Sequence, residues 1–180
     1  MASQPRKVHY YHADASALGG RIDRPVAQLI PALAPVSLPP VGGQSLGSAS
    51  NFEAHGIVSL AKAQTRVAGS LNGNSPTTMM SASVEGLNIL NVITADLIVG
   101  QISSEHPEDG YHPRVTFLGT QIQGLRISGH DVKVTLDLDL FGHMRSEDYP
   151  PGPTVSNNAF LQKVKKDYKE NTGVVVCSLV

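Results

Sequence analysis

The densest group of residues able to do chemistry is Glu105, His106, Glu108, Asp109 and His112. Carboxylates and imidazoles this close can hold a divalent cation, with oxygen donors suiting Ca²⁺ and imidazoles a transition metal. The set lacks the ordered spacing of an EF-hand loop or a zinc helix. Asp109-Gly110 marks it instead as a turn between two strands. Glu105, His106, Asp109 and His112 are the metal-site candidates, set against the plainer reading of a solvated hairpin tip. A second group lies near the N-terminus. In a strand, His12 and Asp14 share a face beside Tyr10, because alternate side chains point the same way. Such a pair could orient a proton transfer or a metal, although surface hydrogen bonding asks less of it. His9 and His12 would share a face only in a helix.

Gly43-Gln44-Ser45-Leu46-Gly47 matches the G-x-S-x-G pattern of a nucleophile elbow. That device needs a buried strand before the serine and a helix after it, since the sharp turn exposes the hydroxyl. Pro39-Pro40 precedes this copy and Ser, Ala and Asn follow, so Ser45 reads as a loop residue. Asp137 and Asp139 share a strand face, where paired carboxylates are the ordinary solvent side. Cys177 is the single cysteine, so no intramolecular disulfide can form; it reads as a small buried residue in Val174-Val175-Val176-Cys177. There is no P-loop, dinucleotide fingerprint, CxxC or RNA-binding aromatic pattern, and no cofactor is expected.

Bulk properties narrow the partners. A net charge of -1 supplies no general attraction to nucleic acid or anionic membrane. Lys163, Lys165, Lys166 and Lys169 alternate with Asp167 and Glu170, which reads as a solvated helix face. No stretch reaches the ~18 apolar residues of a membrane span. Met1–Tyr11 lacks the apolar centre of a signal peptide, giving a cytoplasmic expectation with the cell surface as the alternative.

The elements that must position these groups are mostly strands. Residues 25–51 are rich in Pro, Gly and Ser and read as an extended arm or long loop packed along the domain or against a partner. From Ala61 to Val67 small apolar residues alternate with Lys62, Gln64 and Arg66, the period of a half-buried strand. Asn72-Gly73 is a hairpin turn signal, with the return strand starting near Thr77. Met80, Ala82 and Val84 set one phase, and Leu87 and Ile89 the opposite one. The switch falls at Gly86. It recurs at Gly124, between Leu118, Thr120, Ile122 and Leu125, Ile127. One extra residue at a β-bulge would exchange a strand's faces in this way, and glycine tolerates the backbone angles. Leu90–Val99 reads as a strand covered on both sides. Val132–Leu140 alternates cleanly. Residues 155–170 read as a short helix capped by Asn157 or Asn158 and stopped by Gly173.

The two switches share a motif, Val84-Glu85-Gly86-Leu87-Asn88-Ile89 and Ile122-Gln123-Gly124-Leu125-Arg126-Ile127. With the preceding Ser81-Ala82-Ser83 and Gly119-Thr120-Gln121, the region from about 50 to 140 resembles bacterial choice-of-anchor P type proteins. That resemblance implies a β-rich, surface-associated protein of undefined activity and carries no functional residue over.

The expected fold is thus one mostly β domain over residues 1–180. It is an antiparallel sandwich or rolled sheet with Gly-centred bulges and a C-terminal helix, the alternative being a β-solenoid. The leading functional expectation is a non-enzymatic structural or protein-interaction module, a homo-oligomer or a binder of another protein. The alternatives are a small-ligand or carbohydrate binder, and a hydrolase or isomerase using His12 and Asp14.

Overall fold

A computed structural model of the chain describes residues 9–23, 27–106 and 114–136. All lie in the unit Met1–Gly142. The helix expected over 155–170, residues 137–140 of the strand expected over Val132–Leu140, Cys177 and the unit His143–Val180 lie outside the described residues, and the described residues 132–136 of that expected strand belong to no strand. Short strands β1 (Asp14–Ala15), β2 (Leu18–Ile22), β3 (Gln28–Leu33) and β4 (Val36–Ser37) come first. The long strands β5 (Gly43–Ala54), β6 (Val58–Asn72), β7 (Ser75–Ile89) and β8 (Ile93–Glu105) follow. Then come β9 (Arg114–Phe117), β10 (Gln121–Gln123), β11 (Arg126–Ile127) and β12 (His130–Asp131).

The protein is all-β among the described residues, and the main sheet is antiparallel and open. Its order is β12-β11-β8-β7-β6-β5, with β9 and β10 also paired to β8. Successive strands pair with their neighbours in sequence, so the sheet is a row of hairpins and not the coil of a solenoid. The Asn-Gly turn sits where the sequence puts it, one residue later in detail. Asn72 pairs with Ser75, and Gly73 takes the positive φ of 62° that the first central position of a type II′ turn demands. The return strand therefore starts at Ser75.

The β7–β8 turn escapes the sequence reading. Leu90–Val99 is not one strand, because Leu90 and Asn91 form the hairpin tip with φ of 54° and 55°. The Val92 N–H donates to the Ile89 carbonyl at 2.9 Å. A leucine in the left-handed region is unfavourable by about 1–2 kcal/mol. The tip is held by the sheet: the Leu90 N–H donates to the Ile57 carbonyl at 2.8 Å, continuing the β6–β7 ladder. The other tips use residues better suited to positive φ, His55-Gly56 between β5 and β6 and Ser128-Gly129 between β11 and β12.

The described part of the segment 25–51, residues 27–51, is no structureless loop. Two strand pairings, β1 with β4 and β2 with β3, build a small layer from the N-terminal half of this segment and the residues before it. Its C-terminal part is β5, a twelve-residue strand paired with β6 from Gly43↔Gly69 to Ala54↔Val58. The segment has prolines at 25, 31, 35, 39 and 40, and none falls within β5. The small layer covers one face of the main sheet, as in a partial sandwich. Ile30 and Leu33 join Val58, Leu60, Ala63, Val84, Leu87 and Ala95 in one core. Tyr11, Ala13, Val36 and Leu38 pack on Val67, which is wholly buried, in another. The layers approach closely through glycines. A Cβ on Gly47 would lie 2.7 Å from the Ala34 carbonyl oxygen, and one on Gly69 would lie 2.7 Å from the Tyr11 ring. The Thr65 hydroxyl, buried at this contact, donates to the Ala34 carbonyl. Among the described residues no buried side-chain polar atom lacks a partner.

The phase switches at Gly86 and Gly124 are real, but the bulge interpretation needs correction. Both glycines have positive φ, 64° and 61°. Yet the register does not shift: Glu85↔Leu97 is followed by Leu87↔Ala95, and Gln123↔Leu97 by Arg126↔Thr94. Nor do the strands exchange faces. Val84 and Leu87 are buried in the same core, as are Leu60 and Ala63 one strand over. Each strand carries an extra outward residue at the same row, so the insertions cancel. The row runs Asn51, Ala61, Gly86, Asp96, Gly124 across the sheet. Left-handed residues occur on alternate strands, with Asn51 (φ 51°) the third member. Each stands four residues before a hairpin tip: Asn51 before His55, Gly86 before Leu90, Gly124 before Ser128. The duplicated motif is thus a triplicated hairpin. Its first copy, Asn51-Phe52-Glu53-Ala54-His55-Gly56, is hidden because asparagine replaces the glycine.

Candidate interaction surface

The metal candidates are only partly placed. Glu105 ends β8, paired with Arg114, and the His106 N–H donates to the Pro76 carbonyl at 2.9 Å. Asp109 and His112 lie outside the described residues. Among the described residues no three His, Cys, Asp or Glu side chains are grouped as a metal site. The structure does bring together two histidines that the sequence separates widely. The rings of His9 and His106 are 5.0 Å apart, and His9 packs edge-on to Tyr11 at 4.7 Å. Burial, and secondarily the nearby His106, push the His9 pKa below its ordinary 6.5.

A lowered imidazole pKa means that the unfolded chain binds the proton more readily. The contribution of His9 to stability is complete above pH 6.5, falls as pH drops below that value, and is lost beneath the lowered folded value. In an NMR titration of the His9 ring, His106→Gln should move the midpoint upward. It should stop short of 6.5, because burial is the larger cause. An unchanged midpoint would show that the two rings do not interact electrically.

His12 and Asp14 do share a face, with Nε2 and Oδ2 3.5 Å apart. Both are largely exposed, 85% and 61%, and Asp14 also accepts from the Ser37 hydroxyl. Exposure at this level supplies neither the desolvation nor the enclosure that acid–base catalysis uses. Ser45 lies inside β5 opposite Val67, on a straight ladder with no turn to expose it as a nucleophile.

The features that remain belong to the main sheet's open face and edge. The face away from the N-terminal layer holds a shallow groove of 530 Å³. One row across it reads Leu46, Arg66, Ser81 and Gln101, and the next contains Ser48 and Gln64. Arg66 is the one charged residue lining it, and its Nη2 donates to the Gln44 Oε1 at 3.1 Å. The lining has hydroxyls and amides but no carboxylate or imidazole, so it offers hydrogen bonds without a general acid or base.

β5 forms one wall of this groove and also the sheet's terminal strand. Among the described residues no strand pairs with its outer edge. An unpaired edge is a row of N–H and C=O groups able to receive another strand, and proteins ordinarily blunt it with charge, proline or brevity. At the opposite side, β12 has two residues. β5 has twelve, and Gly43–Phe52 contains neither a charge nor a proline. Leu46 is 69% exposed there. Sequence reasoning missed this edge because Gly, Ser and Ala have low strand propensity. The usable signal was the alternation of Leu46, Ser48 and Ser50 against Gly47 and Ala49.

The fold therefore defines a β-hairpin array with one covered face and one long open edge, a scaffold without a recognisable reactive centre among its described residues. The chain belongs to the family described as Domain of unknown function (DUF8256), which it matches over residues 9–180. No curated protein and no solved structure matches it. The family match carries no link to the choice-of-anchor P type proteins. No helix among the described residues is long and apolar enough to cross a membrane.

Proposed function

We propose that the protein is a non-enzymatic interaction module that receives an extended strand along the edge of β5. The observation that carries this reading is the twelve-residue edge strand, proline-free throughout and uncharged over Gly43–Phe52. Strand addition uses main-chain hydrogen bonds for affinity and alternate side chains for selectivity. Here Gln44, Leu46, Ser48 and Ser50 present one side of the incoming strand with polar and apolar contacts, and the small inner residues leave its other side unobstructed. The N-terminal layer serves this role by covering the sheet's inner face and leaving the edge and the groove open.

A charge in the middle of the edge tests the reading. In a strand-adding protein, amides of Gly43–Ala54 become protected from hydrogen exchange as concentration rises, and light scattering reports an assembled species. Leu46→Lys should abolish both while leaving the thermal midpoint within a few degrees, because Leu46 is already exposed. Fast exchange at every concentration together with a monomeric mass would overturn the proposal.

A further inference from the structure

We infer that the strand received by β5 is β5 of a second copy, paired antiparallel about a two-fold axis through Gly47. This rests on the strand-receiving edge proposed above and identifies its partner. The row of left-handed residues constrains what can pair with this edge. A Cβ on Gly86 would stand 3.1 Å from the Cβ of Ala61, and one on Gly124 would stand 2.0 Å from the Asp96 carboxylate. In both hairpins the left-handed residue aims its Cβ position at the last strand of the hairpin before it. Asn51 occupies the same row with a similar φ, but at the open edge, and it has a side chain. An incoming strand therefore fits best with glycine opposite Asn51.

That requirement separates two ways of adding a copy. Continuing the array head to tail would lay β12 and the residues after it against β5. The β11–β12 register puts Lys133 in the row of Gly124, so Lys133 would face Asn51 and repeat the Ala61 conflict with a larger side chain. Pairing β5 with itself about Gly47 instead places Gly43 opposite Asn51 at both ends. A Cβ built on Gly43 meets nothing within 4 Å, so this end of the strand has space for the asparagine. Gln44 then faces Ser50, Ser45 faces Ala49, and Leu46 faces Ser48. Outward residues meet outward residues throughout, because this register stays on the side of Asn51 where alternation is unbroken. No like charges oppose one another, since the segment carries none. The resulting interface is self-complementary and closes at two copies, which caps the edge against further growth.

Disulfide trapping tests the register in a Cys177→Ser background. An oxidised mixture of Leu46→Cys and Ser48→Cys chains should convert mainly to a covalent heterodimer, while either chain alone should give little. A nitroxide on Gln44→Cys adds a readout at an exposed site, with an expected separation of about 20 Å between copies, six residues of strand. Self-linking of Ser48→Cys, or linking of Asn51→Cys to Lys133→Cys, would overturn the two-fold register while leaving the strand-receiving edge intact. A monomer at all concentrations, with β5 amides unprotected, would overturn both.

Discussion

Replacing Gly86 with valine should destabilise the protein by about 3 kcal/mol, read as a lower denaturant midpoint in urea unfolding. Two effects add. The backbone at φ 64° is left-handed, where an L side chain costs about 1–2 kcal/mol and a β-branched one is a true outlier. The new Cβ also meets the Ala61 Cβ at 3.1 Å, closer than ordinary contact, and the added methyls extend that overlap. The two parts can be separated. Gly86→Ala in an Ala61→Gly background removes the contact but keeps the backbone strain, so it should recover only part of the loss. A Gly86→Val protein within about 0.5 kcal/mol of wild type would show that the row of left-handed residues can relax, since ordinary surface changes fall in that range.

Leu60→Ala should cost about 2–5 kcal/mol, the range for emptying a buried leucine site. Leu60 is 3% exposed and sits where the sheet, the tip residue Ile57 and the N-terminal layer share one core. Collapse of the cavity is hindered from both sides, by the ladder to β5 and by Ile30 and Leu33 above. The thermal midpoint should fall by roughly 10 °C, given the usual few degrees per kcal/mol in a domain of this size. Leu46→Ala is the internal comparison. The same substitution on β5, at a residue 69% exposed, should change stability by no more than about 0.5 kcal/mol. If the two variants lost equal stability, the N-terminal layer would not be packed on the sheet as described.

These two residues also mark how much was legible in the sequence. The alternation from Ala63 to Val67 is a local property of an extended backbone, so the strand and that part of its buried face could be read directly, whereas Ala61, which the same pattern puts on that face, is exposed. The same holds for the Asn72-Gly73 turn, whose positive φ is a demand of two residues alone. The phase change at Gly86 was visible too. Its meaning was not, because whether an inserted residue shifts a register depends on what the neighbouring strand inserts at that row. The strand β5 was hidden for a related reason. Gly, Ser and Ala gain little from being extended by themselves, and β5 is held there by its ladder to β6 and by the contact of Gly47 with Ala34 and Val36.

The candidate chemistry divides in the same way. The sequence placed His12 beside Asp14, which adjacent same-face positions require, and only burial revealed how exposed that pair is. It gave no sign that His9 meets His106, ninety-seven positions away. By itself the sequence determined a β-rich protein, its alternating strands, one of its turns and two of its three left-handed row positions, all set by local backbone preferences. The tertiary structure decided the third copy, the unbroken registers and the open edge of β5. Those depend on which strands become neighbours, and neighbours are chosen by packing between residues far apart in the chain.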